Sequence, residues 1–206
     1  MNLFNSIIMR TVSYLPKSFA KPFAKPYVAG ETIEEALSNV KILNQKGFCA
    51  TLDILGEHVK SKTFAKNITQ QYCGLYQQIN DHKLDCTISV KPTHIGLNIS
   101  YAEALKNITL ISEKASELHN FLRIDMESSK YTEQTFGLLV DCKKITKNIG
   151  VAMQAYLLRS LNDIDRLANT EFNARICKGI YKENSSVSYK TKMDINNNFM
   201  LMAKKM

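Results

Sequence analysis

Five short apolar runs, each with a polar residue at or near its end and each followed by a segment with helical spacing, constrain this chain more than any other feature. They occupy residues 48–54, 86–91, 121–125, 149–156 and 174–178. Runs of this length suit buried strands better than helices, which need ten or more residues to bury a face. Between the first two, Val59, Phe64, Ile68, Tyr72, Leu75 and Ile79 recur at helical intervals. Ser100 and Glu103 form a capping box ahead of Leu105, Ile108, Ile111, Ala115 and Leu118. Thr132 opens the next helix, and Ser160 is expected to cap one that runs to about residue 170. Ahead of all five runs, Thr32 and Glu35 make another capping box for a helix over 32–46, closed by Gly47. Weak helical character returns from about residue 193.

Strands alternating with helices imply an α/β class with a parallel sheet, because a parallel connection needs a long crossover and the helices must cover the sheet. Spacing does not separate an open doubly wound sheet from a (βα) barrel. Five strands suit a flavodoxin-like sheet, whereas a closed barrel needs eight strands and about 250 residues. On spacing alone the open sheet is favoured.

The chain of 206 residues carries 27 Lys and Arg against 19 Asp and Glu, a net charge of +8. That excess favours anionic partners, yet the lysines are spread evenly and no zinc-finger spacing, RNA-recognition motif or arginine-rich arm occurs, so specific nucleic-acid binding is not expected. The cysteines, Cys49, Cys73, Cys86, Cys142 and Cys177, lie far apart with no histidines at ligand spacing. They read as small hydrophobes in a reducing compartment, with no metal site. No apolar run approaches the roughly 20 residues that cross a bilayer. Residues 1–30 form an N-terminal arm with Arg10, Lys17, Lys21 and Lys25, no acid, and interleaved Phe and Ile. Such an arm suits a membrane surface or a solvated leader equally. Residues 31–206 are expected to form one domain.

The strand ends carry the chemistry. Asp53 and Glu57, Lys91, Asp125 and Glu127, Gln154, and Arg175 with Lys178 all fall at the expected C-terminal ends, which is the rim where α/β folds bind ligands. The strand-to-helix turns contain neither G-x-G-x-x-G nor a P-loop, so the common phosphate motifs are absent.

These blocks resemble one family. Gly30-Glu31-Thr32, Glu34-Glu35-Ala36-Leu37, Thr51-Leu52-Asp53 and Leu55-Gly56-Glu57 are similar to the entry into the proline dehydrogenase barrel. Ser89-Val90-Lys91, Ile124-Asp125-Met126-Glu127-Ser128, Met153-Gln154-Ala155-Tyr156-Leu157 and Arg175-Ile176-Cys177-Lys178-Gly179-Ile180-Tyr181 follow in that family's order over residues 28–184. The resemblance implies an α/β fold in which about five βα units form part of an incomplete (βα)8 TIM-like barrel. It also implies FAD as cofactor, and oxidation of L-proline to 1-pyrroline-5-carboxylate with electrons passed to a membrane quinone.

By the same resemblance, Lys91 binds the substrate carboxylate and Tyr181 packs over the proline ring. Asp125 and Arg175 are the catalytic pair, with the Arg175 cation beside flavin N5 and suited to an anionic reduced ring. Met126, Gln154, Cys177, Lys178, Gly179 and Ile180 line the cofactor; Cys177 and Ile180 replace the more usual valine and alanine. Glu57 matches a glutamate whose family partner is an arginine on the last barrel helix. His94, two residues beyond the departure at Pro92, reads as a structural group rather than a general base.

The match covers strands one to five. The chain stops before the family's Thr-His flavin contact and the paired arginines that clamp the proline carboxylate. Two readings follow: an enzyme completed by another chain or by self-association, or a truncated, inactive barrel fragment acting as a scaffold. Either is expected in the cytoplasm, peripheral to the inner face of a membrane, or in the mitochondrial matrix of a eukaryote.

Overall fold

The computed structural model describes residues 28–168 and 172–206. Residues 1–27, most of the N-terminal arm, lie outside the described residues. The chain divides into two compact units, Met1–Cys49 and Ala50–Met206. In the first, helix α1 (Ile33–Gln45) is capped by Thr32, whose hydroxyl accepts from the Glu35 backbone N–H at 3.3 Å. The Glu35 carboxylate reaches back to the Glu31 N–H at 2.8 Å. The box thus closes one residue earlier than its usual form: one helix-start donor, that of Glu35, is satisfied, and the other bond ties down the residue before the cap.

The second unit alternates β1 (Ala50–Leu52), α2 (Lys62–Asp81), β2 (Cys86–Val90), α3 (Tyr101–Glu117), β3 (Leu122–Ile124), α4 (Thr132–Cys142), β4 (Ile149–Gln154), α5 (Ser160–Ala168), β5 (Asn173–Cys177) and α6 (Lys192–Lys205). The five strands are parallel and lie in the order β1-β2-β3-β4-β5. That order decides between the two candidate folds. A flavodoxin-like sheet reverses its strand order partway, which sends helices to both faces. Here each strand is added on the same side of the last, and right-handed crossovers then put every helix on one face. The result is an arc of a (βα) barrel, as the family resemblance implies, and the open sheet favoured by spacing alone is not formed.

Helix α2 shows why the periodicity was readable. Ala65, Ile68, Tyr72, Leu75, Tyr76 and Ile79 are all buried on one stripe and the helix packs beside α3. Each large side chain on that stripe contributes roughly 1.5–3 kcal/mol of burial. Strand β4 is buried at all six positions, as expected for a central parallel strand. Ser160 differs from expectation. It is the first residue of α5, and its hydroxyl donates to the Gln154 carbonyl at 2.5 Å, so it braces the end of β4. Helix α6 is firmer than its sequence suggests, because Thr191 accepts from the Asp194 N–H at 3.1 Å and donates to the Asp194 carboxylate at 2.6 Å.

Candidate active site

Because the strands are parallel, all five C-terminal ends lie along one rim, and the loops there are bonded to one another. The His58 N–H donates to the Thr93 hydroxyl at 2.9 Å and the Val59 N–H to the Thr93 carbonyl at 3.1 Å. The Thr93 N–H and hydroxyl both donate to Glu127, which is fully buried. Further round, the Ser129 N–H and hydroxyl donate to Glu183 at 2.6 Å each. Each contact joins the loop after one strand to the loop after another, and those that end on Glu127 and Glu183 are charge-assisted. Burial pushes the Glu127 pKa above its ordinary value, and the two Thr93 donors pull it back in part.

A cavity of about 350 Å³ opens inside this rim, lined by Lys91, Asp125, Met126, Ala152, Gln154, Arg175, Cys177, Lys178, Gly179, Ile180 and Tyr181. That size falls within the usual range for small-ligand sites. Ten of these eleven are the residues singled out in the sequence; Ala152 was missed because an alanine inside a buried strand carries no polar signal. Glu57 stands outside the lining, yet its carboxylate accepts from the Tyr181 hydroxyl at 2.8 Å.

Two ion pairs set the electrostatics. Arg175 Nη2 lies 2.5 Å from Asp125 Oδ1, and Lys91 Nζ bonds Asp53 Oδ2. Burial raises the Asp125 pKa above its ordinary value, although the Arg175 and Lys91 cations oppose the shift. For Lys91 burial works against the charge, but Asp53, Asp125 and Glu57 outweigh it and hold the ammonium above its ordinary pKa. The same burial raises the Cys177 thiol, with Arg175 opposing, so Cys177 is a neutral wall residue. Its S–H donates to the Met153 carbonyl at 3.3 Å.

Gln154 is anchored at one end only. Its Nε2 donates to the Met126 and Glu127 carbonyls at 3.0 and 2.8 Å, while Oε1 is buried and finds no partner among the described residues. A buried acceptor without a donor carries a desolvation cost that a ligand N–H would remove. Gly179 has φ +106°, and a Cβ there would come within 2.2 Å of the Tyr156 ring. Only glycine therefore lets the loop after β5 lie flat along the cavity. A buried acceptor without a donor, a glycine at the cavity wall and the cations Lys91, Arg175 and Lys178 fit an anionic group that carries a ring N–H, such as a flavin.

Asp53 and Tyr72 had not been given roles in the sequence. Asp53 was visible as a strand-end acid, but Tyr72 looks like any apolar position of α2, and only the fold brings its hydroxyl to 2.9 Å from Asp53 Oδ1. His94 is 2% exposed, with Nδ1 lacking a partner among the described residues. Burial lowers its pKa, so it stays neutral in the wall behind the rim.

A parallel βα arc with an apolar cleft and paired charges at its C-terminal rim defines a ligand-binding domain of the (βα)-barrel class. Residues 36–193 match the family model for proline dehydrogenase, and the chain belongs to that family. Proline dehydrogenase 1 of Bacillus subtilis strain 168 is 36% identical over 191 residues, covering 90% of this chain and 63% of the relative. The proline dehydrogenase of Deinococcus radiodurans is 30% identical over 182 residues, 85% of this chain and 58% of that one. The chain thus spans about 63% of the length of the curated relatives it matches best among these. In fold, it resembles proline utilization A from Bdellovibrio bacteriovorus, in a crystal structure inactivated by N-propargylglycine, with a TM-score of 0.82. The identity is 22%, over 91% of this chain and 24% of that one.

Proposed function

We propose that this chain supplies the flavin-facing part of a site that oxidises L-proline to 1-pyrroline-5-carboxylate. The observation that carries the proposal is the cavity in which Lys91, Asp125 and Arg175 converge beside the orphaned Gln154 acceptor. Bound FAD would accept the hydride leaving the proline carbon next to nitrogen and pass its electrons to a membrane quinone. The chain's own residues do the rest. Lys91 offers its ammonium to the substrate carboxylate, and Tyr181 forms the lid over the proline ring. Asp125 holds Arg175 so that its fixed cation faces the reacting edge, where a preorganised charge stabilises negative charge as it develops. Met126, Cys177, Lys178, Gly179 and Ile180 wall the cofactor, and Gln154 accepts from a ring N–H.

A second reading is favoured by the edges of the sheet. Strands β1 and β5 each have one unpaired side among the described residues, and Ile180, Met193, Met200 and Leu201 are exposed, Ile180 at 89%. Open edges and apolar surface of this kind favour association. In this reading the chain works with a complementing chain or a second copy, or serves as a scaffold without turnover.

The visible absorbance spectrum of the purified chain with added FAD, before and after anaerobic L-proline, separates the readings. A flavin band that bleaches supports oxidation. A retained band that proline leaves unbleached supports a cofactor site lacking its substrate clamp, and no retained band supports the scaffold. Lys91→Ala is expected to weaken binding of proline-like carboxylates by about tenfold or more, the scale of a lost hydrogen bond to a charged group; equal affinity would refute its role.

A further inference from the structure

The ion pair between Lys91 and Asp53 has a third member that does not touch the cavity. Tyr72, on α2, is fully buried, and its hydroxyl donates to Asp53 Oδ1 at 2.9 Å. The Ile54 carbonyl, at 3.3 Å, is the more distant acceptor and carries no charge, so the single O–H proton belongs to the carboxylate. The phenol has no room to leave. His94 packs edge-on against it with centroids 6.3 Å apart and an interplanar angle of 82°. The imidazole in turn is pressed against Gly56, where a Cβ would lie 2.2 Å from Nε2.

This arrangement divides the Asp53 carboxylate. One oxygen is committed to Tyr72 and only the other faces Lys91. A lysine ammonium has three donors, so one is used on Asp53 and two are left over for a ligand in the cavity that Lys91 lines. Were both carboxylate oxygens available, the ammonium would be drawn back onto Asp53. Its flexible stem would also regain freedom that a ligand must then remove. Asp125 pairs with Arg175 at 2.5 Å, and the ion pair that Lys91 makes is with Asp53.

We propose that Tyr72 is a positioning residue: acting through Asp53, it fixes the Lys91 ammonium at the cavity wall in the orientation that receives a carboxylate ligand. The ligand class rests on the function proposed above; the positioning itself does not.

The test uses the full chain labelled with 15N at lysine, without flavin or proline. The Lys91 ammonium signal is assigned by its loss in Lys91→Gln, and its proton exchange with water is measured in the wild type, Tyr72→Phe and Asp53→Asn. Tyr72→Phe keeps the ring and removes only the hydroxyl. It is expected to speed Lys91 exchange about tenfold while the backbone amide spectrum outside the rim stays in place, and Asp53→Asn to speed it at least as much. Unchanged exchange in Tyr72→Phe, beside faster exchange in Asp53→Asn, would overturn the proposal by showing that Asp53 holds Lys91 without the phenol. Equal exchange in all three would overturn the ion pair itself. Should Tyr72→Phe fail to fold, the Tyr72 13Cζ resonance decides: it must move in Asp53→Asn, and a resonance that stays put sinks the proposal. Failure to retain any flavin would overturn the proposed function and leave these readouts standing.

Discussion

The Tyr181 hydroxyl donates to the Glu57 carboxylate at 2.8 Å and so joins the loop after β5 to the loop after β1, residues 124 positions apart in the chain. Burial first, then the hydrogen bond to Glu57 and after it the Glu57 charge, raise the Tyr181 pKa above its ordinary value. Phenol ionisation beside a carboxylate is opposed by like charge. Glu57→Ala is therefore expected to lower the Tyr181 pKa, so that its 13Cζ resonance titrates at lower pH. Glu57→Gln should give a smaller drop, because the hydrogen bond survives without the charge. An unchanged titration in Glu57→Ala would show that the two loops do not meet in solution.

Arg175, in β5, and Asp125, just after β3, make a further contact across the rim, between strands that are not neighbours in the sheet. Arg175→Met removes the cation that opposes the burial shift of Asp125, so the Asp125 pKa should rise further, read from its carboxyl 13C shift against pH. In protein that retains flavin, the same variant should slow reduction by proline while leaving the cofactor bound, since a fixed positive charge acts mainly on the reduced state. Reduction at the wild-type rate would remove Arg175 from the chemistry and leave it a structural partner of Asp125.

Much of this architecture was legible because each level of the sequence agreed with the next. Ile68, Tyr72, Leu75 and Ile79 of the expected stripe are buried on α2, whereas Phe64 is exposed and Val59 precedes the helix; Thr32 and Ser100 cap their helices as expected, and a polar residue stands at each strand end. Strand order was not legible, because crossovers of equal length build either an open sheet or a barrel arc. Only the order β1 to β5 settles that. In the site, residues with charge at strand ends announce themselves, whereas Tyr72 and Ala152 do not. Their contribution depends on which atoms the fold sets opposite them, as when the Tyr72 hydroxyl meets Asp53 across 19 residues. Thr191 carried a readable signal, a capping threonine three residues before Asp194, which the polar composition around it obscured.

Gly179 is a position where backbone conformation and close packing coincide. With φ +106° and the Tyr156 ring 2.2 Å from any added Cβ, Gly179→Ala combines strain with a clash. It should lower stability by about 1–3 kcal/mol, measured by denaturant unfolding, and shift the loop that lines the cavity. A neutral outcome would mean that the loop adopts a different backbone path in solution.

The cluster of Arg159, Arg166, Glu133 and Asp163 links α4 to α5 away from the cavity, and it gives a pH prediction of definite sign. Hydrogen bonds from Arg166 and then Arg159 lower the Glu133 pKa from 4.5 to about 2. A carboxylate whose folded pKa is depressed contributes stability that is present above its unfolded pKa and is lost as pH falls through the folded value. The contribution of Glu133 should therefore be complete above pH 4.5 and vanish towards pH 2. Its side chain is 57% exposed, so solvent screening limits the effect to about 1 kcal/mol or less. Glu133→Gln should melt slightly lower than the wild type at pH 7 and converge with it at acid pH. Curves that stay parallel down to pH 2 would show that the bridge contributes nothing in solution. Added salt provides an independent check: it should narrow the gap at pH 7, because the exposed part of the network is screened.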